Sequence, residues 1–204
     1  MEKLRQLGAG IFLDLKYHDI PTTVGGAVSA AVKLTGVRLL DVHALGGLEM
    51  MRVAAKARNE SALLEAQRPK LLGVTILTSM DNGSLRTVGI AGPASSRAVK
   101  LARLAQRAGL DGVVASPKEV RAIRRGCGKG FLIVVPGIRP EVGEGSGRKA
   151  KRKADDQARV ATPAEAIRAG ADYLVIGRPI TAAPDPEAAA RAILEEIGSA
   201  LPTN

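Results

Sequence analysis

The chain has 204 residues, 46% hydrophobic and 25% charged, with a formal net charge of +10; these values fit one globular domain with a full core and a basic surface. One cysteine, two histidines and no tryptophan exclude a disulfide framework, a Cys-based zinc cage and a His-rich metal site. No apolar run approaches the roughly 18 residues of a membrane span, and Met1-Glu2-Lys3-Leu4-Arg5-Gln6 contains no signal-peptide core, so the chain reads as cytoplasmic.

Residues 1–8 read as the end of a helix that runs straight into a first strand at 11–16. Short apolar, β-branched runs then predict strands at 39–44, 71–77, 112–116, 131–138 and 173–177. Between them lie helical patterns. Ala98, Leu101, Leu104, Ala105 and Ala108 recur at helical spacing and stop at Gly109. Ser116-Pro117 and Thr162-Pro163 place a cap residue before a proline at the first helical position. Strands alternating with helices imply a parallel sheet buried on both faces, which explains unbroken runs such as Phe131-Leu132-Ile133-Val134-Val135.

The predicted strands start about 32 residues apart, one βα unit per step. The expected fold is therefore α/β, a TIM (β/α)8-type barrel with about six βα units in this chain, as a single domain over 1–204. A closed barrel takes eight strands and roughly 250 residues, so the arithmetic places the shortfall of about 50 residues at the N-terminus. Two neighbouring strands would then lack partners.

Asp14, Lys16 and Asp19 carry the most chemistry. Residues at i and i+2 of a strand share a face, so Asp14 and Lys16 are expected side by side where an apolar strand ends. Opposite charges there are either an ion pair capping the barrel or a catalytic pair at the mouth, where barrels place their chemistry. Five positive charges cluster in Arg148-Lys149-Ala150-Lys151-Arg152-Lys153, after Gly143, Gly145 and Gly147. Such a run can bind nucleic acid, be a solvated loop, or attract an anionic substrate; without stacking aromatics, nucleic acid is not the expected partner. His18 reads as a structural loop residue, His43 as pocket-facing or packed, and Cys127 as an incidental loop thiol with no base beside it.

The segment Asp14-Leu15-Lys16-Tyr17-His18-Asp19-Ile20-Pro21-Thr22-Thr23-Val24 resembles the signature of the orotidine 5′-phosphate decarboxylase family. Three further segments match in order. Leu77-Thr78-Ser79-Met80 is similar to the loop after that family's fifth strand, Pro136-Gly137-Ile138-Arg139-Pro140 to the end of its seventh, and Gly177-Arg178-Pro179-Ile180-Thr181 to the end of its last. The resemblance implies a cofactor-free decarboxylation of orotidine 5′-phosphate to UMP, in de novo pyrimidine synthesis. It gives Lys16 the role of proton donor to C6 of the pyrimidine and Asp14 that of its charged neighbour. Asp19, with Ile20 and Thr23, would reach into the partner subunit's site, so the active unit would be a homodimer with shared active sites. Thr78, Ser79 and Pro136 would meet the substrate, and Arg139, Gln157, Gly177 and Arg178 would hold its phosphate. Arg178 also suits that task on its own chemistry: a permanently charged fork directly after a strand, beside a glycine.

The sequence departs from the family at three places. Residues 141–157 are expected to form a long flexible phosphate-side loop that contains the cationic run and Gln157. Thr22 stands where the family usually has Asn. A substrate-contacting Asp and a second catalytic Lys, which the family carries on its first two strands, have no match, and Lys3 is no substitute. Two other functions stay open. One is a magnesium-dependent sugar-phosphate lyase or synthase of the same barrel group, for which Asp41 and His43 are the nearest metal-ligand candidates, although Asp41 lies before its strand end. The other is an inactive, N-terminally truncated chain, with RNA a possible ligand of the run 148–153.

Overall fold

Each strand of the sheet pairs with the strand that follows it in sequence. The computed structural model describes residues 2–61, 68–140 and 160–201. It contains β1 (Ile11–Tyr17), β2 (Val37–His43), β3 (Lys70–Val74), β4 (Gly112–Val114), β5 (Leu132–Val135) and β6 (Tyr173–Leu174). All five pairings are parallel, and the order is β1-β2-β3-β4-β5-β6. Among the described residues no ladder joins β6 back to β1. Helices α1 (Glu2–Gln6), α2 (Pro21–Val32), α3 (Gly47–Glu60), α4 (Asn82–Thr87), α5 (Ala94–Arg107), α6 (Val120–Cys127), α7 (Pro163–Ala169), α8 (Arg178–Thr181) and α9 (Pro186–Ala200) complete the alternation. This is the expected barrel architecture, with six βα units.

Alternate residues of the central strands divide between two apolar layers. Leu40, Val42, Leu71, Val113, Ile133 and Val135 face outward and pack on α2, α3, α5 and α6, with Val28, Met51, Ala105 and Ile123 among their partners. Leu39, Leu72 and Val134 face inward, with Phe12, Val114 and Leu132 packed against them. Burial on both faces is why these strands read as unbroken apolar runs.

The predicted helix signals hold locally. Thr162 and Glu165 form a reciprocal capping box at α7. α5 ends at its cap Ala108, followed by Gly109 at φ +87°. Ser116 caps a short 3-10 turn, Pro117–Glu119, which leads into α6. Strands β3, β5 and β6 stop earlier than the apolar runs suggested; Thr75 and Val175 still donate to the Val114 and Val135 carbonyls, and the chain beyond them builds the barrel mouth. Pro136, which has no N–H to give a ladder, enforces one of these exits.

The opposite end is tied by one device used twice. Asp111, just before β4, accepts the Leu71 N–H of β3 at 2.8 Å and pairs with the buried Arg58 of α3. Asp172, just before β6, accepts the Ile133 N–H of β5 at 2.7 Å and pairs with Arg124 of α6 at 2.6 Å. Arg124 also donates to the carbonyls of Gly128, Lys129, Phe131 and Gly170. Each carboxylate thus joins a strand start to a helix across the sheet.

Gly112 opens β4 directly against β5, and a methyl there would run into the carbonyl oxygen and Cβ of Leu132. Gly112→Ala should therefore cost about 2 kcal/mol or more, lowering the melting temperature by roughly 4 °C or more. Thermal unfolding of the two proteins side by side checks this; a variant melting within about 1 °C of the parent would contradict the packing.

Candidate active site

The site begins where the β1–β2 ladder breaks. Leu13 pairs with Leu40, and the next pair is Tyr17 with Val42. Residues 14–16 therefore bulge opposite the single residue Asp41. Ladder partners are missing for the N–H groups of Leu15 and Lys16, and the Asp41 carboxylate takes both, at 3.0 and 2.7 Å through Oδ1. Lys16 adopts φ +49°, the one positive φ outside glycine among the described residues. That conformation costs a residue with a Cβ about 1–2 kcal/mol.

The bulge brings the Lys16 ammonium onto the Asp14 carboxylate as an ion pair. The sequence predicted this meeting from the i, i+2 alternation of a regular strand. The pair does form, but through a bulge and a left-handed residue. Both side chains stay about half exposed, at 40% for Lys16 and 46% for Asp14, so the pair looks into open space.

Asp41 itself is fully buried, and its second oxygen, Oδ2, has no hydrogen-bond partner. Burial first, and then the neighbouring Asp14 carboxyl, pushes Asp41 up to about 7. Burial also acts to raise Asp14, but hydrogen bonding with Asp41 and Lys16, with the Lys16 charge, outweighs it and holds Asp14 below its ordinary value. Below about pH 7 the carboxyl pair therefore favours a single negative charge, carried against Lys16.

His43, at the end of β2, stacks on His18 with ring centroids 5.2 Å apart, and its Nδ1 accepts the Leu45 N–H at 3.4 Å. Burial, then the charges of His18 and Lys16, pull His43 below its ordinary value. It is packed beside the Lys16 segment rather than lining the cavity. Cys127 is not the loop thiol the sequence suggested: it is the last residue of α6, buried, with burial pushing its thiol up.

A cavity of about 450 Å³ opens at the C-terminal ends of the strands. Its floor is apolar: Phe12, Val74 and Val114, of which Phe12 and Val114 also pack on the inner core layer. Its rim holds Asp14, Lys16, Thr78, Ser79 and Pro136, so five of the residues singled out in the sequence converge on one space.

The other candidates stand outside that cavity. Asp19 and Ile20 are exposed at the start of α2, with Asp19 Oδ1 accepting the Ile20 N–H at 2.6 Å, and Thr23 is exposed in its first turn. Arg139, Gly177 and Arg178 follow the adjacent strands β5 and β6 and are exposed. Arg139 is anchored by its N–H to the Ala161 carbonyl at 2.9 Å, and Gly177 caps α8. Gln157, the run 148–153 and the predicted loop 141–157 lie outside the described residues. From the sequence, Asp41 is a candidate only as a metal ligand. Its signal was a lone carboxylate in the apolar run Leu39-Leu40-Asp41-Val42.

Comparison with known proteins decides the family. The family model described as orotidine 5′-phosphate decarboxylase / HUMPS matches residues 1–193. The chain belongs to this family. An orotidine 5′-phosphate decarboxylase of Moorella thermoacetica is 55% identical over 196 residues, covering 95% of this chain and 74% of that protein. One from a Geobacter species is 52% identical over 194 residues, covering 95% of this chain and 77% of the relative. The crystal structure of orotidine 5′-phosphate decarboxylase from Lactobacillus acidophilus superposes with a TM-score of 0.79 at 40% identity, covering 96% of this chain and 79% of that one. That solved structure thus shares the fold of this chain.

The raised Asp41 value has a measurable consequence. A carboxyl raised on folding favours the folded state fully below its unfolded value of 3.8, and loses that contribution as pH rises to about 7. Asp41→Asn removes this loss. Its stability relative to the parent should improve steadily from pH 4 to pH 8 in denaturant titrations. A difference that stays constant with pH would show that Asp41 is ionised normally.

Proposed function

We propose that this chain decarboxylates orotidine 5′-phosphate to UMP without a cofactor, as a cytoplasmic enzyme of pyrimidine synthesis. The observation that carries the reading is the Asp14–Lys16 ion pair on the rim of a cavity shared with Thr78, Ser79 and Pro136, in a chain 55% identical to a decarboxylase of that name. The cavity, at about 450 Å³, has the size of a small-ligand site.

In this reading the pyrimidine lies on the Phe12, Val74 and Val114 floor, with Thr78 and Ser79 at its polar edge. The C6–carboxylate bond breaks, carbon dioxide leaves, and the electron pair stays on C6. The Lys16 ammonium stabilises that pair and then gives it a proton, which solvent restores. Asp14 keeps Lys16 charged and oriented. Arg139, Gly177, Arg178 and Gln157 hold the phosphate, in accord with the barrel tendency to bind phosphate at the loops after the last strands. Asp19, Ile20 and Thr23, exposed beside the mouth, serve the partner's site in a homodimer. The magnesium-dependent alternative draws no support from Asp41, whose carboxyl is engaged by the β1 bulge.

The direct experiment is UMP formation from orotidine 5′-phosphate, measured with and without EDTA. Turnover unaffected by EDTA is expected; absence of turnover, or its loss with the chelator, overturns the proposal. Lys16→Ala should lower the rate by 10²-fold or more with the fold intact, since positioned acid–base groups contribute about 10²–10⁴-fold. A variant keeping more than about a tenth of the rate would contradict the role of Lys16. Arg178→Ala should raise KM and weaken UMP binding while leaving affinity for uridine nearly unchanged. Equal losses for both ligands, read by calorimetry, would sink the phosphate assignment.

A further inference from the structure

Asp41 presents a physical problem that packing does not solve. A carboxyl group with no solvent exposure sits in the middle of the apolar strand β2, next to a second carboxyl, that of Asp14. Burying such a group costs several kcal/mol unless it is paired and hydrogen-bonded. An aliphatic side chain would suit the inner face better, since the alternation Leu39, Asp41, His43 puts Asp41 on the side of the sheet that carries the inner core layer. It is not among the residues that line the cavity. What it does touch is the backbone of the two residues that shape the catalytic bulge.

We propose that Asp41 is the positioning residue of the site: by accepting the Leu15 and Lys16 N–H groups it holds the β1 bulge, and with it the left-handed Lys16 backbone that sets the ammonium beside Asp14 at the cavity. The proposal deepens the decarboxylase reading and rests on it for its kinetic arm. Three observations converge. The ladder skips three residues of β1 opposite Asp41 alone. The two N–H groups it accepts are donors that the skip leaves without a strand partner. Lys16, the residue so held, is the sole non-glycine at positive φ among the described residues. Without an acceptor at that point, the bulge would bury unmet donors and gain nothing for its strain, so β1 would relax toward regular pairing. Regular pairing would move Lys16 Nζ by more than an ångström, a displacement that costs about 100-fold in rate when a reacting group is involved. Protonation does not undo this role: a neutral carboxyl still accepts both N–H groups through one oxygen.

Asp41→Ala and Asp41→Asn distinguish this from a packing role. The alanine variant removes the acceptor; the asparagine variant keeps an oxygen in its place. On folded protein, Asp41→Ala should lower kcat about 100-fold with KM changed less than about threefold. Hydrogen exchange at the Leu15 and Lys16 amides should accelerate at least tenfold, while amides of β3 and α5 keep their protection. Asp41→Asn should restore kcat to within about fivefold of the parent and keep both amides protected. Where Asp41→Ala fails to fold, Asp41→Ser, too short to reach both amides, replaces it with the same expectations. An Asp41→Ala enzyme with kcat near that of the parent, or an asparagine variant as impaired as alanine, overturns the proposal. If the parent itself forms no UMP, the decarboxylase reading fails, and the exchange rates decide the positioning role: unchanged protection at Leu15 and Lys16 in Asp41→Ala rejects it.

Discussion

Two backbone N–H groups and one buried carboxylate set the geometry of this site. In a parallel sheet covered on both faces, every N–H inside must find an acceptor, because no water reaches it. Where β1 runs three residues against one of β2, the ladder offers Leu15 and Lys16 nothing, and Asp41 supplies what is missing. The left-handed Lys16 follows from that, and the ion pair with Asp14 follows from Lys16. Residues that look like a simple i, i+2 pair are thus products of a contact between residues some 25 positions apart in sequence.

The two ends of the barrel divide the work in the manner of the fold. At the end where strands begin, Asp111 and Asp172 each bind a neighbouring strand's N–H and a helix arginine, with most of each partner shielded from solvent. These charge pairs fix strands to helices. At the end where strands finish, Asp14 and Lys16 stay half exposed and Asp41 is buried against the Asp14 carboxyl. Polar groups there are held in place but left available or strained, as chemistry requires.

The Asp14–Lys16 pair lies on β1, an edge strand among the described residues. Among the described residues β1 has one ladder neighbour, β2, and Leu15 is 48% exposed, as is Tyr173 on the opposite edge strand β6. The relatives extend beyond the matched region, since this chain spans about three-quarters of their length. An edge strand has fewer constraints than a central one, which gives the anchor that Asp41 provides from β2 more weight here than it would carry inside a closed ladder.

Local patterns along the chain already carry the architecture and the chemical inventory. The βα alternation, the caps at Thr162 and Gly109, the two-sided burial of strands such as 131–135, and the candidates Asp14, Lys16, Thr78, Ser79 and Pro136 are all legible from local pattern, because helix and strand periods and turn residues act over a few positions. Strand ends were less legible, since β3, β5 and β6 stop where the mouth needs loop rather than where apolar residues run out. Cys127 was misplaced for a similar reason: flanking glycines suggested a loop, and packing of Val120 and Ile123 carried the helix through it. Asp41 was visible only as an oddity in an apolar strand. Its meaning depends on register, and register is set by which residues of β1 and β2 lie opposite one another in space. No local pattern in either strand records that, so the three-against-one bulge, the left-handed Lys16 and the partner of Asp41 were decided by tertiary structure alone.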